Sequence, residues 1–212
     1  LEKLRPSVVN IASGVVLEIG FGSGLNLPYY KNVTKLYALE PSMELFDMAR
    51  KQIKTVSFPV FYLQNSAEKI PLADHSIDSV VSTWTLCSIP RPEIALKEIL
   101  RVLKPGGKFT FIEHGKSPNG FKAKLQKWFT PVSKFFGGGC HLDREIDKLI
   151  REAGFNIQKI EQFQEKFKLS QTGRLDTGTR EAINKIFKDL ASGYVDFEEP
   201  IEEEDIFQEE EE

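Results

Sequence analysis

The chain has 212 residues, 41% of them apolar and 28% charged, enough for one domain with a true core and a short appendage. No apolar run reaches the ~18–20 residues that cross a bilayer, so a soluble body is expected. The net charge of −3 is uneven: residues 196–212 hold 11 acids and no Lys or Arg, leaving 28 basic against 20 acidic residues before them, a body charge of +8. Such a tail is expected to stay solvated, while the body favours anionic partners, with nucleic acid and lipid headgroups both open on charge alone. Cys87 and Cys140 are too few for a disulfide framework, which points to a reducing, cytoplasmic setting. The chain starts at Leu1, so a trimmed amino-terminus or a lost targeting segment stays open.

In chain order, Val15–Ile19 reads as a buried strand that ends in Gly20-Phe21-Gly22-Ser23-Gly24. Lys35–Leu39 is a second strand, stopped by Glu40-Pro41, and Ser42 can cap a helix to about Ile53 with Phe46, Ala49 and Ile53 on one face. Val60–Leu63 and the β-branched run Ile77–Thr83 give strands three and four. Pro92 opens a helix whose Leu96, Ile99, Leu100 and Leu103 follow the spacing of a buried face. Pro105-Gly106-Gly107 then turns the chain into a fifth strand, 108–113. Helix-length crossovers between such strands predict a doubly wound, mostly parallel α/β sheet with helices on both faces. Residues 116–139 hold five lysines and no acid, interleaved with aromatics, and a helix is expected from about Asp143 to Ala153 with Gly154 as its cap. Residues 155–169 suit either a strand start or a helix, and Ile183–Leu190 mark a last helix before the acidic tail.

The glycine turn after the first strand lets backbone approach a ligand closely, and the next helix would offer unpaired N–H groups. By itself it also fits a plain tight turn. A dinucleotide fingerprint needs a small residue at the sixth position from Gly20, where this chain has Leu25. Glu18, two residues before the first glycine, is outside that fingerprint and can fix the loop or face a cation. An adenosine cofactor without a pyrophosphate is favoured over a nicotinamide dinucleotide. Glu40, twenty residues beyond Gly20, can accept both ribose hydroxyls, or can be an ordinary strand-end acid. Ser42 and Met43 follow where an adenine would lie, and Ser66 can reach its edge.

Leu17–Gly24, Glu40-Pro41-Ser42, Asn65–Pro71 with Ala73–Asp78, Ser82–Ile89 and Leu103–Gly107 resemble the successive motifs of class I S-adenosylmethionine-dependent methyltransferases. Ser82–Ile89, Ile112–Gly115 and Gly139–Arg144 are similar to the methyltransferase-like protein 7 group of thiol methyltransferases, and more distantly to quinone and phospholipid methyltransferases. The resemblance runs from about Val15 to Glu161 and implies a Rossmann-like sheet that binds S-adenosyl-L-methionine. It implies that Glu18, Gly20, Gly22 and Gly24 line the methionine part, Glu40 the ribose, and Ser66 and Ala67 the adenine region. Thr83 would hold the amino-acid end through its backbone. Ser66 stands where the family often has Asp, which weakens the adenine-edge contact.

A small-molecule acceptor and no nucleic acid is the resulting expectation. His114 is the candidate general base, or a histidine that only secures a strand end. Trp84, Cys140 and His141 are candidates for the acceptor pocket, Trp84 being equally readable as core. The Cys and His residues show no paired ligand spacing, so no metal is expected. Residues 121–136 read either as a basic amphipathic lid resting on an anionic membrane, which would make the protein peripheral, or as a packed helix with a solvated lysine face.

The methyltransferase domain is expected over 1–162, followed by a short helical extension (163–195) and the acidic tail (196–212). The run from Phe163 through Thr172-Gly173-Arg174-Leu175-Asp176 to Ile183 weakly resembles a peptidoglycan-binding-like helical repeat, about half of such a module. The last, antiparallel strand of the methyltransferase sheet is therefore expected to be absent or replaced. Two rival functions stay open, a nicotinamide-dependent oxidoreductase and a non-catalytic binding protein with a glycan-gripping extension.

Overall fold

Strands β1 (Ser13–Ile19), β2 (Asn32–Leu39), β3 (Val60–Leu63), β4 (Ile77–Thr83) and β5 (Leu103–Ile112) pair in the order β3-β2-β1-β4-β5, all parallel. The computed structural model describes residues 4–113, 115–117, 120–136 and 139–157. Parallel strands are covered on both faces, which is why β1 carries the apolar run Val15–Ile19 broken only by Glu18 and why β4 is buried at Ile77 and from Ser79 to Thr83. Their side chains alternate between two cores. Leu17, Ile19 and Val80 join α3 (Pro92–Val102) and α5 (Ile146–Glu152) on one face. Val16, Leu36, Ala38 and Val81 meet α1 (Arg5–Val9) and α2 (Met43–Ile53) on the other. Helix α4 (Gly120–Phe136) comes after β5.

The doubly wound sheet expected from the sequence is present, with local departures. No α-helix links β1 to β2: the glycine turn leads only to a 3-10 turn at Leu27–Tyr29. Successive glycines at positive φ and Pro28 deny that short segment a helical ladder, and buried Leu27 and Tyr30 fill the layer instead. On α3 the buried face is Ala95, Leu96, Ile99 and Val102, whereas Leu100 is 42% exposed, so its expected place in the face is corrected. The expected break at Pro105 is a bulge inside β5: Leu103 pairs with Ile77 and Lys108 with Ser79, leaving four residues looped out. Helix α5 starts at Ile146 rather than Asp143, and Phe155 and Ile157 pack on the first core without strand pairing. Helix α1 has no counterpart in the sequence reading. The expectations for the last strand, the extension and the acidic tail fall on 158–212, outside the described residues.

Candidate active site

The strand order reverses direction at β1, whose neighbours β2 and β4 leave it on opposite sides, and in open α/β sheets ligands bind at the carboxyl ends beside such a switch point. Pairing register aligns those ends: Ile19 lies opposite Leu39 and Ser82, and Thr83 opposite Ile112. The residues just past them, Gly20–Gly24, Glu40, Trp84–Ser88 and Glu113, therefore converge.

The glycine turn is anchored by Gly20 N–H, which donates to Leu39 O at 2.9 Å. Gly20 and Gly22 have φ of +64° and +56°, a region costly for residues with a Cβ. Their surroundings differ. A Cβ on Gly20 would lie 2.3 Å from Thr85 Oγ1, so this glycine lets the β4 loop close on β1. A Cβ on Gly22 would meet nothing nearer than 3.9 Å, leaving a backbone face open to a ligand. Glu40, only 7% exposed, accepts from Gly22 N–H (2.9 Å) and Ser42 N–H (3.0 Å) with one oxygen each. A carboxylate has about four acceptor positions, so two remain for a vicinal diol. The open face over Gly22 beside this carboxylate fits the ribose of S-adenosylmethionine. It does not fit the pyrophosphate of a dinucleotide, since no helix N-terminus succeeds the turn and Leu25 is 41% exposed.

Glu18 is fully buried, where it accepts from Asn26 Nδ2 (2.8 Å) and the Tyr30 hydroxyl (2.6 Å). Burial pushes its carboxyl up to about 7, against the pull of those two hydrogen bonds and of the Arg5 charge. The Thr83 hydroxyl accepts from Asn26 Nδ2 and Arg5 Nη1, both at 3.1 Å, and Arg5 Nη1 also donates to Asn26 Oδ1 at 2.8 Å. Ser42 caps α2, its hydroxyl accepting from Leu45 N–H at 3.2 Å, and Met43 stands partly exposed on the first turn. The Ser66 hydroxyl accepts from Glu68 N–H at 3.2 Å, while Ala67 is buried in the first core.

On the β4–β5 side, Trp84 holds φ +54° and donates its N–H to Ile112 O at 2.7 Å. Glu113 gathers the loop: one oxygen accepts from the Ser82 hydroxyl (2.7 Å) and from the N–H groups of Thr85 and Leu86 (3.0 Å each). Its other oxygen is buried without a partner, and burial raises its carboxyl above the usual range. Cys87 is buried beside Cys140, and neither is disulfide-bonded. Burial pushes the Cys87 thiol up to about 12, which disfavours its thiolate form. His141 N–H donates to Cys87 O at 2.9 Å and Arg144 Nη1 donates to Leu86 O, tying the 139–146 segment to this loop. A cleft of about 430 Å³ opens beyond β5, lined by Ser117, Leu125, Gln126, Phe129 and Leu142.

The structure thus brings together Glu18, Gly20, Gly22, Glu40 and Thr83 at one end of the sheet, with Trp84, Cys140 and His141 on its β5 side. His114 lies outside the described residues. Arg5, Asn26 and Tyr30 were not singled out from the sequence, and Glu113 stood there only within the Ile112–Gly115 motif, with no role of its own. Asn26 and Tyr30 come soon enough after the glycine turn to be suspected, but no sequence signal marks Arg5.

Residues 17–111 match the methyltransferase domain family. The thiol S-methyltransferase TMT1B of Rattus norvegicus is 39% identical over 69% of this chain and 62% of its own length. A phosphatidylethanolamine N-methyltransferase of Cereibacter sphaeroides is 28% identical over 70% of this chain and 73% of its own. A crystal structure of an S-adenosylmethionine-dependent methyltransferase from Thermotoga maritima, described as a possible histamine N-methyltransferase, superposes with a TM-score of 0.54 at 28% identity, covering 74% of this chain and 72% of that one. The chain spans just under two thirds of the length of the thiol methyltransferases it matches.

Proposed function

Since the chain carries a class I S-adenosylmethionine-dependent methyltransferase domain, we propose that it moves the cofactor's methyl group to a small, predominantly apolar acceptor, with a thiol favoured over a quinone or a lipid. The observation that carries the cofactor reading is the open backbone face of Gly22 beside the buried Glu40 carboxylate. Similarity to thiol S-methyltransferases and the largely apolar cleft at Leu125, Phe129 and Leu142 support the acceptor class.

S-Adenosylmethionine supplies an already activated methyl group, so the protein's work is placement and exclusion of water. In-line transfer asks the nucleophile to stand ~3–3.5 Å from the methyl carbon. Glu40, pinned by two backbone N–H groups, would fix the nucleoside by its diol. The loop held by Glu113 would set the wall against which the acceptor rests. A thiolate needs no strong base, and a phenol or alcohol would require one, the role for which His114 is the candidate.

Calorimetric titration with S-adenosylhomocysteine tests the reading. Wild type should bind, and Glu40→Ala should bind about tenfold more weakly or worse, because hydrogen bonds to a charged group contribute about 1.5–3 kcal/mol. Absence of binding to wild type, with NADH binding instead, would turn the assignment to the oxidoreductase.

A peripheral membrane contact through α4 is part of the proposal. Phe121 and Trp128 are 78% and 73% exposed on this helix, next to exposed Lys124 and Lys127. That pairing of apolar and cationic side chains suits an anionic lipid surface.

A further inference from the structure

Arg5 reaches from the first turn of α1 to the carboxyl end of β4. One of its terminal nitrogens, Nη1, contacts the Asn26 and Thr83 side-chain oxygens, and its guanidinium lies 4.7 Å above the centre of the Trp84 ring. Its Nε is buried with no hydrogen-bond partner. Among the described residues no carboxylate stands within ion-pair distance of it. The nearby Glu18 carboxyl feels the Arg5 charge, but its hydrogen bonds reach Arg5 only through Asn26, and burial favours its neutral form. A half-buried cation lodged against neutral oxygens and an aromatic face, with an idle N–H, has no directly hydrogen-bonded anion among the described residues.

The position of this cation tells which anion. Glu40 closes β2 and Arg5 stands at the end of β4, on opposite sides of β1. Two strand spacings separate them, roughly 10 Å, with the open Gly22 turn between. A nucleoside held by its diol at Glu40 and extending across the turn would bring a group at the far end of its 5′ substituent to Arg5. In S-adenosylmethionine that group is the amino-acid end.

We propose that Arg5 binds the α-carboxylate of the cofactor, making α1 part of the site and Arg5 the residue that distinguishes a nucleoside bearing an amino acid from one without. This rests on the cofactor reading above. Trp84, with its strained backbone, would serve as the platform that keeps the guanidinium in place.

The test is calorimetry with two ligands that differ in this group, S-adenosylhomocysteine and 5′-methylthioadenosine, on wild type, Arg5→Met and Arg5→Lys. Arg5→Met should weaken S-adenosylhomocysteine about tenfold or more and leave 5′-methylthioadenosine within about twofold. Arg5→Lys should lie between, since it keeps the charge but not the planar fork. Retained 5′-methylthioadenosine binding also shows that each variant is folded. Should a variant unfold, decarboxylated S-adenosylmethionine on the wild type asks the same question: it should bind about tenfold more weakly than S-adenosylmethionine. Equal losses for both ligands, no loss for either, or equal affinity of wild type for the carboxylated and decarboxylated forms would overturn the assignment. A wild type that bound none of these nucleosides would instead overturn the cofactor reading.

Discussion

Glu18 illustrates how a residue can be identified by position and yet act through neighbours. From the sequence it is an acid two places before a glycine turn, and its placement at the carboxyl end of β1 could be anticipated. That it is shut away behind Asn26 and Tyr30 could not, because both partners come from a loop whose path depends on tertiary packing. Its energetics stem from that burial. The carboxyl titrates near 7 in the folded protein against 4.5 in its ordinary state. Between these values the folded state holds a proton that the unfolded chain has released, so stability falls as pH rises through this window and levels off above about 7. The full effect is about 3 kcal/mol from the linkage relation. Glu18→Gln keeps a neutral, hydrogen-bonding side chain in place. Urea denaturation should therefore show the variant gaining stability relative to wild type on going from pH 5 to pH 8. A difference that does not change with pH would refute the buried, proton-holding carboxyl.

At the scale of elements, the strands and α3 were legible because their signals are local and redundant. β4 is rich in β-branched residues and buried except at Asp78, and α3 has a proline start and a repeating apolar face. Leu100 was misplaced because the i, i+4 spacing from Leu96 is satisfied by two neighbouring faces, and only the position of the sheet chooses between them. The absent helix between β1 and β2 was missed for another reason: a glycine turn announces a close approach of backbone but does not fix the conformation of the residues after it. The packing makes a direct contrast within one helix. Ile99 is fully buried between the sheet and α5, and Ile99→Ala should cost about 2–5 kcal/mol in chemical denaturation with an unchanged denaturant slope. Leu100→Ala, one residue on and 42% exposed, should cost under about 1 kcal/mol. Comparable losses at the two positions would mean that α3 is rotated about its axis.

For the whole molecule, the question is how a body of positive charge presents its site. The segment after β5 runs from the carboxyl end of the sheet, where Glu113 holds the loop after β4, into α4 within a few residues. The Gln126 side chain accepts from Ser117 N–H and donates to Gly115 O, so α4 is fastened to the segment leaving β5. Phe121, Leu125 and Trp128 form an i, i+4, i+7 stripe along it, all exposed, with Lys124 and Lys127 also exposed. If this stripe rests on lipid, the cleft beside Leu125 and Phe129 faces the source of apolar acceptors, and the exposed Lys124 and Lys127 of the same helix would meet anionic headgroups. Vesicle co-sedimentation should then show binding to phosphatidylserine-containing membranes well above that to pure phosphatidylcholine, weakened by added salt. Trp128→Ser should lower binding to anionic vesicles at any salt concentration, because it removes apolar area. Lys124→Glu together with Lys127→Glu should abolish the preference for anionic lipid while leaving S-adenosylhomocysteine binding intact. Equal sedimentation with both vesicle types would leave α4 as a helix with an ordinary solvated lysine face.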